Sequence, residues 1–212
     1  MIEERVLALD MSTKTGWAVF ISNDKGCGLE CYGQIKQIPQ IDGQYPDNFV
    51  EWAHACFNEI VKLIDTHAPD VLVIEETASG SKSIFSQKIL EWIHYLVAKL
   101  IKESNIKATY LMTEQWRRET GCLMSKEESK HNKEVRKYKD KNSTSIAYDE
   151  NGKRIGRITR KHVNIRRANE VFGKFLKTPL RKKDEDAADS LLLGFCYHLR
   201  RMRNNDQESL AD

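Results

Sequence analysis

Four carboxylates in this chain stand where a soluble domain does not ordinarily carry charge. Asp10 follows the apolar run Val6-Leu7-Ala8-Leu9, and Glu75 follows Val71-Leu72-Val73-Ile74. Asp186 and Asp189 bracket Ala187-Ala188 just ahead of Leu191-Leu192-Leu193. An acid at the end of a buried strand is costly to desolvate unless something compensates it. For Asp10 the compensation is either a bound cation or a cap on the backbone of Ser12 or Thr13 in the loop that closes on Gly16. Asp186 and Asp189, three residues apart, share one helix face, and the positive end of the helix dipole keeps both ionised. Dipole complementation accounts for one or two of Asp184, Glu185 and Asp186, but not for Asp189. Brought together, Asp10, Glu75, Asp186 and Asp189 make a hard oxygen donor set suited to Mg²⁺ or Mn²⁺, as two ions close together.

Bringing them together is the task of the elements between them. Val6–Asp10, Gly16–Ile21 and Leu29–Ile38 read as three strands, the last two joined by the turn Asn23-Asp24-Lys25-Gly26. Pro46-Asp47 opens a helix with Val50, Ala53, Phe57, Ile60, Val61 and Ile64 on one face, ended by Ala68-Pro69-Asp70. A buried strand, Val71–Ile74, precedes a long helix over 83–103. Ala108–Leu111 is a fifth strand, and Thr113 is the expected N-cap of a turn running to Glu119 and stopped by Gly121. Helix crossovers place strands four and five parallel to the first, which predicts a mixed five-stranded sheet flanked by helices. Asp10 and the acid after Ile74 then leave one carboxyl-terminal sheet edge, where open α/β sheets place their sites. Strand alternation puts Val71, Val73 and Glu75 on one face and Leu72, Ile74 and Glu76 on the other, so it does not choose between the two glutamates.

The chain of 212 residues is predicted to be a single domain over 1–212, with a basic insertion at about 122–162. Ser125-Lys126-Glu127-Glu128 is a capping-box pattern for a charged helix to about Lys139, and Ser143–Thr159 reads as a hairpin around Asn151-Gly152. From Lys126 to Arg167 there are 14 Lys/Arg against 6 Asp/Glu, in a chain whose net charge is only +3. That asymmetry predicts a surface facing a polyanion. Helical patterning returns from Val163 to Leu176, and a last helix opens at Asp184. The five cysteines form no CxxC pair, which predicts reduced intracellular thiols and no zinc site. No apolar run reaches about 18 residues, and Met1-Ile2-Glu3-Glu4-Arg5 is no signal peptide, so a cytoplasmic protein without a membrane span is expected.

Leu7-Ala8-Leu9-Asp10 with Thr15-Gly16, Val73-Ile74-Glu75 and Asp186-Ala187-Ala188-Asp189, in this order, resemble the RuvC-type Holliday junction resolvases of the ribonuclease H-like superfamily. The resemblance spans the chain apart from the basic insertion, which departs from the bacterial pattern. It implies a ribonuclease H-like fold, and it selects Glu75 over Glu76. It assigns Asp10, Glu75, Asp186 and Asp189 as catalytic residues and ligands of two Mg²⁺ ions, with Mn²⁺ able to substitute and Asp10 bridging. It further implies a homodimeric endodeoxyribonuclease that cuts four-way and other branched DNA by two-metal hydrolysis, in recombination and repair. The helix over 83–103 carries more apolar surface than one core-facing stripe needs, which predicts the dimer interface, with Trp92 or Tyr95 as anchor. A helix buried on both sides in a monomer is the rival. Competing functions are a related nuclease on RNA or 5′-flaps, an actin-like ATPase fragment, and a silent nucleic-acid-binding module. The ATPase needs a second similar domain for which 212 residues leave little room, and the intact acids oppose the silent module.

Overall fold

In the computed structural model, which describes residues 3–77, 84–142, 147–148 and 154–209, strand β1 (Glu4–Asp10) is the middle of a five-stranded sheet. On one side lie β2 (Gly16–Asn23), antiparallel to it, and then β3 (Gly26–Gln34), antiparallel to β2. Parallel β4 (Val71–Glu75) and β5 (Lys107–Leu111) flank it on the other, giving the order β3-β2-β1-β4-β5. The sheet is the mixed one expected, but β3 is displaced. It begins at Gly26 because Asn23 Oδ1 accepts from the backbone N–H groups of Lys25 (2.9 Å) and Gly26 (3.1 Å), closing a tight turn. It ends at Gln34 because the N–H groups of Ile35 and Ile38 turn instead to the carbonyls of Thr15 (2.8 Å) and Thr13 (2.9 Å). The segment expected to extend the strand thus braces the loop after Asp10.

Helices cover both faces. On one, α1 (Asp47–His67) and α2 (Ile84–Ser104) bury Ile60, Ile64, Ile89, Ile93 and Val97 against Leu7, Leu9, Leu72 and Ile74. The half-buried Trp92, Leu96, Leu100 and Ile101 pack into this same core, so much of the apolar excess of α2 is used within the domain. Tyr95 is not: it is 69% exposed. On the other face, α3 (Thr113–Glu119), α5 (Arg160–Phe172) and α6 (Glu185–Ser209) cover Val6, Ala8, Phe20 and Val73 with Trp116, Phe172, Leu191 and Leu192. Helix α5 starts three residues before Val163, because Thr159 accepts from the His162 N–H and caps it. It ends at Phe172, so Phe175 lies beyond it and is exposed.

The basic insertion comprises α4 (Lys126–Asn142) and the short strands β6 (Ala147–Tyr148) and β7 (Arg154–Ile155), which pair antiparallel. The Asn151-Gly152 turn and Ser143–Ile146 lie outside the described residues. Ser125 and Glu128 form the capping box: the Ser125 N–H donates to Glu128 (2.8 Å), and the Glu128 N–H donates to Ser125 Oγ (3.1 Å). The Asn132 amide binds both the carbonyl and the N–H of Ile158 (2.8 Å each), Glu128 pairs with Arg166 of α5, and Val135 is buried. The Glu128–Arg166 pair ties the start of α4 to α5.

Two glycines set how closely α6 lies on the sheet. A Cβ on Gly16 would stand 2.0 Å from the Asp186 carbonyl oxygen, and one on Gly194 would stand 2.1 Å from the Phe20 ring. Overpacking of this kind costs about 1–3 kcal/mol, sometimes more. A ring can turn aside and a helix backbone cannot. Gly16→Ala is therefore expected to destabilise by about 3 kcal/mol or more and Gly194→Ala by about 1–3 kcal/mol, read as the shift in urea midpoint at constant m-value.

Candidate active site

The register of the sheet does the first part of the assembly. Leu9 of β1 is paired in parallel with Ile74 of β4, so the next residues, Asp10 and Glu75, emerge side by side. The Glu75 carboxylate lies close enough to raise the Asp10 carboxyl. Glu76 points away and is exposed, its N–H bonded to the Leu111 carbonyl (2.9 Å). Glu75 Oε1 also accepts from the Thr113 hydroxyl and from the Trp116 indole N–H (3.3 Å). Thr113 is thus not the N-cap of α3. Met112 holds that position without a side-chain bond, and the Thr113 hydroxyl is turned to the glutamate.

Helix α6 supplies the other two acids. Its entry is a 3-10 turn over Lys182–Asp184, in which Asp184 accepts from the Arg181 N–H (2.9 Å) and so is occupied as a cap. Asp186 faces Lys14 (3.3 Å) and Lys161 (3.2 Å), and Lys161 also reaches Glu185 (3.0 Å). Asp189 is 3% exposed and accepts from the Asn164 amide (2.6 Å). The loop after Asp10 caps itself: Thr15 Oγ1 donates to the Ser12 carbonyl (2.8 Å) and accepts from the Ser12 N–H (3.1 Å), while the Lys14 N–H donates to Ser12 Oγ (3.0 Å). Among the described residues Asp10 makes no hydrogen bond to Ser12 or Thr13, which sets aside the capping role. Its carboxyl is aimed at the other acids.

That arrangement is electrostatically costly. Burial first, then the charges of Asp189, Glu75 and Asp186, push the Asp10 carboxyl well above its usual range. Burial pushes Asp189 up to about 7, opposed by the Asn164 amide and by Arg117, so the helix dipole does not keep this acid fully ionised as expected. The residues fit a divalent cation. All four donors are hard oxygens, and the Asn164 Oδ1 beside Asp189 is buried without a hydrogen-bond partner among the described residues. Alongside, Arg117, Arg118 and Arg160 with Leu123 and Met124 line a cavity of about 330 Å³.

No family model and no curated protein sequence matches this chain. Solved structures do. Thermus thermophilus RuvC in complex with a Holliday junction substrate superposes with a TM-score of 0.58 at 12% identity, covering 93% of this chain and 96% of RuvC. A second structure of the same RuvC gives 0.58 at 14% identity, with the same coverage. The yeast mitochondrial Holliday junction resolvase gives 0.53 at 14% identity, covering 97% of this chain and 84% of that one. The chain has the RuvC fold. At such identities the likeness is one of architecture, and it includes the mixed ribonuclease H-like sheet.

Within this RuvC fold the structure brings Asp10, Glu75, Asp186 and Asp189 to one place, and adds residues that spacing did not single out. Thr113 and Trp116 orient Glu75, Asn164 orients Asp189, and Lys14 and Lys161 neutralise Asp186. One signal was available: Asn164 stands four and eight residues before Ala168 and Phe172, a polar side chain on a buried stripe. The others are contacts between distant segments. Raised carboxyl pKa values mean that the metal-free folded state holds protons that the unfolded chain releases, so stability falls as pH rises from about 4 through about 7. In chelator, melting temperature is expected to drop across that window, and Asp189→Asn should flatten the drop. An equal drop in the variant would remove Asp189 as its source.

Proposed function

We propose that this chain is a divalent-metal-dependent endonuclease of branched DNA, a homodimeric four-way-junction resolvase built as one domain with a DNA-binding insertion. The observation that carries the reading is the meeting of four carboxylates from β1, β4 and α6 at one sheet edge, close enough for Glu75, Asp186 and Asp189 each to raise the Asp10 carboxyl. Asp10, Glu75, Asp186 and Asp189 would hold Mg²⁺, two ions per site, with Mn²⁺ as a substitute. When bound, such ions supply activation of the attacking water and neutralisation of charge on the leaving 3′ oxygen.

The chain's own residues do the rest. Thr113 and Trp116 hold the Glu75 carboxylate in place, and Asn164 does the same for Asp189. Lys14 and Lys161, which neutralise Asp186, stand ready to take a phosphodiester once that charge is otherwise met. The cavity lined by Arg117, Arg118 and Arg160 and the basic insertion extend this surface for the DNA backbone. The solved RuvC and yeast resolvase structures are of Holliday junction enzymes, which favours a four-way junction over a linear duplex as substrate.

Cleavage of a synthetic four-way junction in Mg²⁺, beside a linear duplex and a flap, tests the reading. Asp10→Asn, Glu75→Gln, Asp186→Asn and Asp189→Asn are each expected to lower the cleavage rate by about 10²-fold or more, the loss of the several kcal/mol that a bound cation contributes. Junction binding should persist, and Glu76→Gln should cut normally. Near-normal cleavage by any of the four variants would remove that residue from the site.

Symmetry makes a second demand. Cutting two opposing strands of a junction is most simply done by two sites related by a two-fold axis. The outward face of α2, with Tyr95 exposed beside Lys99 and Lys102, is the surface proposed for that axis. Light scattering at micromolar concentration is expected to give a dimer that Tyr95→Glu weakens. A strictly monomeric protein, free and on junction DNA, would overturn the dimer.

A further inference from the structure

At the opposite end of β1 from Asp10, three residues of different chemistry converge. Glu30 and Cys31 are neighbours on β3, where strand alternation would send them to opposite faces. The ladder is interrupted there: Phe20 pairs with Leu29 and Val19 with Cys31, leaving Glu30 as the extra residue of a β-bulge. The bulge turns both side chains to the α1 side of the sheet, against His67, the last residue of α1. Cys31 Sγ lies 3.9 Å from His67 Nδ1, and one ligand atom from each of the three residues lies within 4.8 Å of the others.

We propose that Glu30, Cys31 and His67 form a second metal site, for Zn²⁺, distinct from the carboxylate centre and completed by a water. A tetrahedral Zn²⁺ with ordinary bond lengths separates its sulfur and nitrogen ligands by about 3.6 Å, close to the spacing found. Thiolate and imidazole select Zn²⁺ over Mg²⁺, whereas the four acids of the other site favour the harder ion. The end of α1 suits a cation, while the Arg5 guanidinium beside Glu30 opposes one. The carboxyl-terminal end of α1 carries the negative end of its dipole. The Trp17 ring, 5.3 Å from that of His67, fixes the imidazole. Arg5 Nε lies 3.3 Å from Glu30 Oε2, which leaves Oε1 for the metal, and Arg5 Nη1 donates to the His67 carbonyl (3.4 Å). Burial, then the charge of Glu30, raises the Cys31 thiol, so without metal it is a neutral thiol rather than a nucleophile. Binding transfers the thiol proton to solvent and leaves a thiolate and a carboxylate to balance the two charges of the ion. Such a site would pin the edge strand β3 to the end of α1. The absence of any CxxC spacing does not bear on it, because its ligands come from an adjacent pair and a helix end 36 residues away.

Cobalt titration tests the site independently of nuclease activity. Metal-free full-length protein, in excess Mg²⁺ to fill the carboxylate centre, is titrated with Co²⁺ and watched for thiolate-to-cobalt charge-transfer absorption. One equivalent is expected to bind with that band, and Zn²⁺ should abolish it by displacement. Cys31→Ser should lose the band, while Glu30→Gln and His67→Gln weaken binding by at least about tenfold. No band in the unmodified protein, or a band that survives in Cys31→Ser, would overturn the site.

Discussion

Mutual repulsion among closely placed carboxylates is the constraint around which this molecule is arranged. Asp10 has three acid neighbours, Glu75, Asp186 and Asp189, and each makes its ionisation harder. Three structural features nevertheless enforce the encounter. The parallel register of β1 and β4 sets Asp10 beside Glu75, the glycine at position 16 admits the backbone of α6, and Ala187 and Ala188 are both fully packed against the sheet. A fold that uses its closest packing to crowd like charges stores a demand for positive charge at that point. Protons meet the demand without metal, and a divalent cation meets it better, because it brings two charges and accepts several oxygens at once.

Around the acids stands a ring of polar groups whose work is orientation. Thr113 and Trp116 come from α3, which follows β5 directly, so the strand that flanks Glu75 also delivers its partners. Asn164 comes from the buried face of α5 and reaches Asp189. Lys14 and Lys161 approach Asp186 from a loop and a helix entry, and Lys14 Nζ also donates to the Lys183 carbonyl, which joins the loop after β1 to the turn before α6. An amide, a hydroxyl and an indole set direction at Glu75 and Asp189, while ammonium groups stand at Asp186.

The two ends of β1 differ in kind. Its carboxyl-terminal end carries oxygen donors only, held by a parallel strand pair and a helix. Its amino-terminal end, through Arg5, supports a mixed oxygen, sulfur and nitrogen set on the edge strand and the end of α1.

The architecture was legible in the sequence because hydrophobic periodicity and turn chemistry are local. Val71-Leu72-Val73-Ile74 read as a doubly buried strand, and the crossover helices then placed it parallel to β1, which sets its acid beside Asp10. The candidate acids were legible for the same reason: a carboxylate at the end of an apolar run, or beside one on a helix, is visible without coordinates. Tertiary structure decided everything that depends on direction across space. It turned Glu75 rather than Glu76 toward Asp10, drew Thr113 away from its helix to Glu75, and ended β3 early to brace the Thr13–Thr15 loop. It also absorbed most of the apolar surface of α2 into the core and, through one bulged residue, put Glu30 and Cys31 on the same face. Periodicity states which residues share a face, but not what that face meets, and a bulge breaks the period itself.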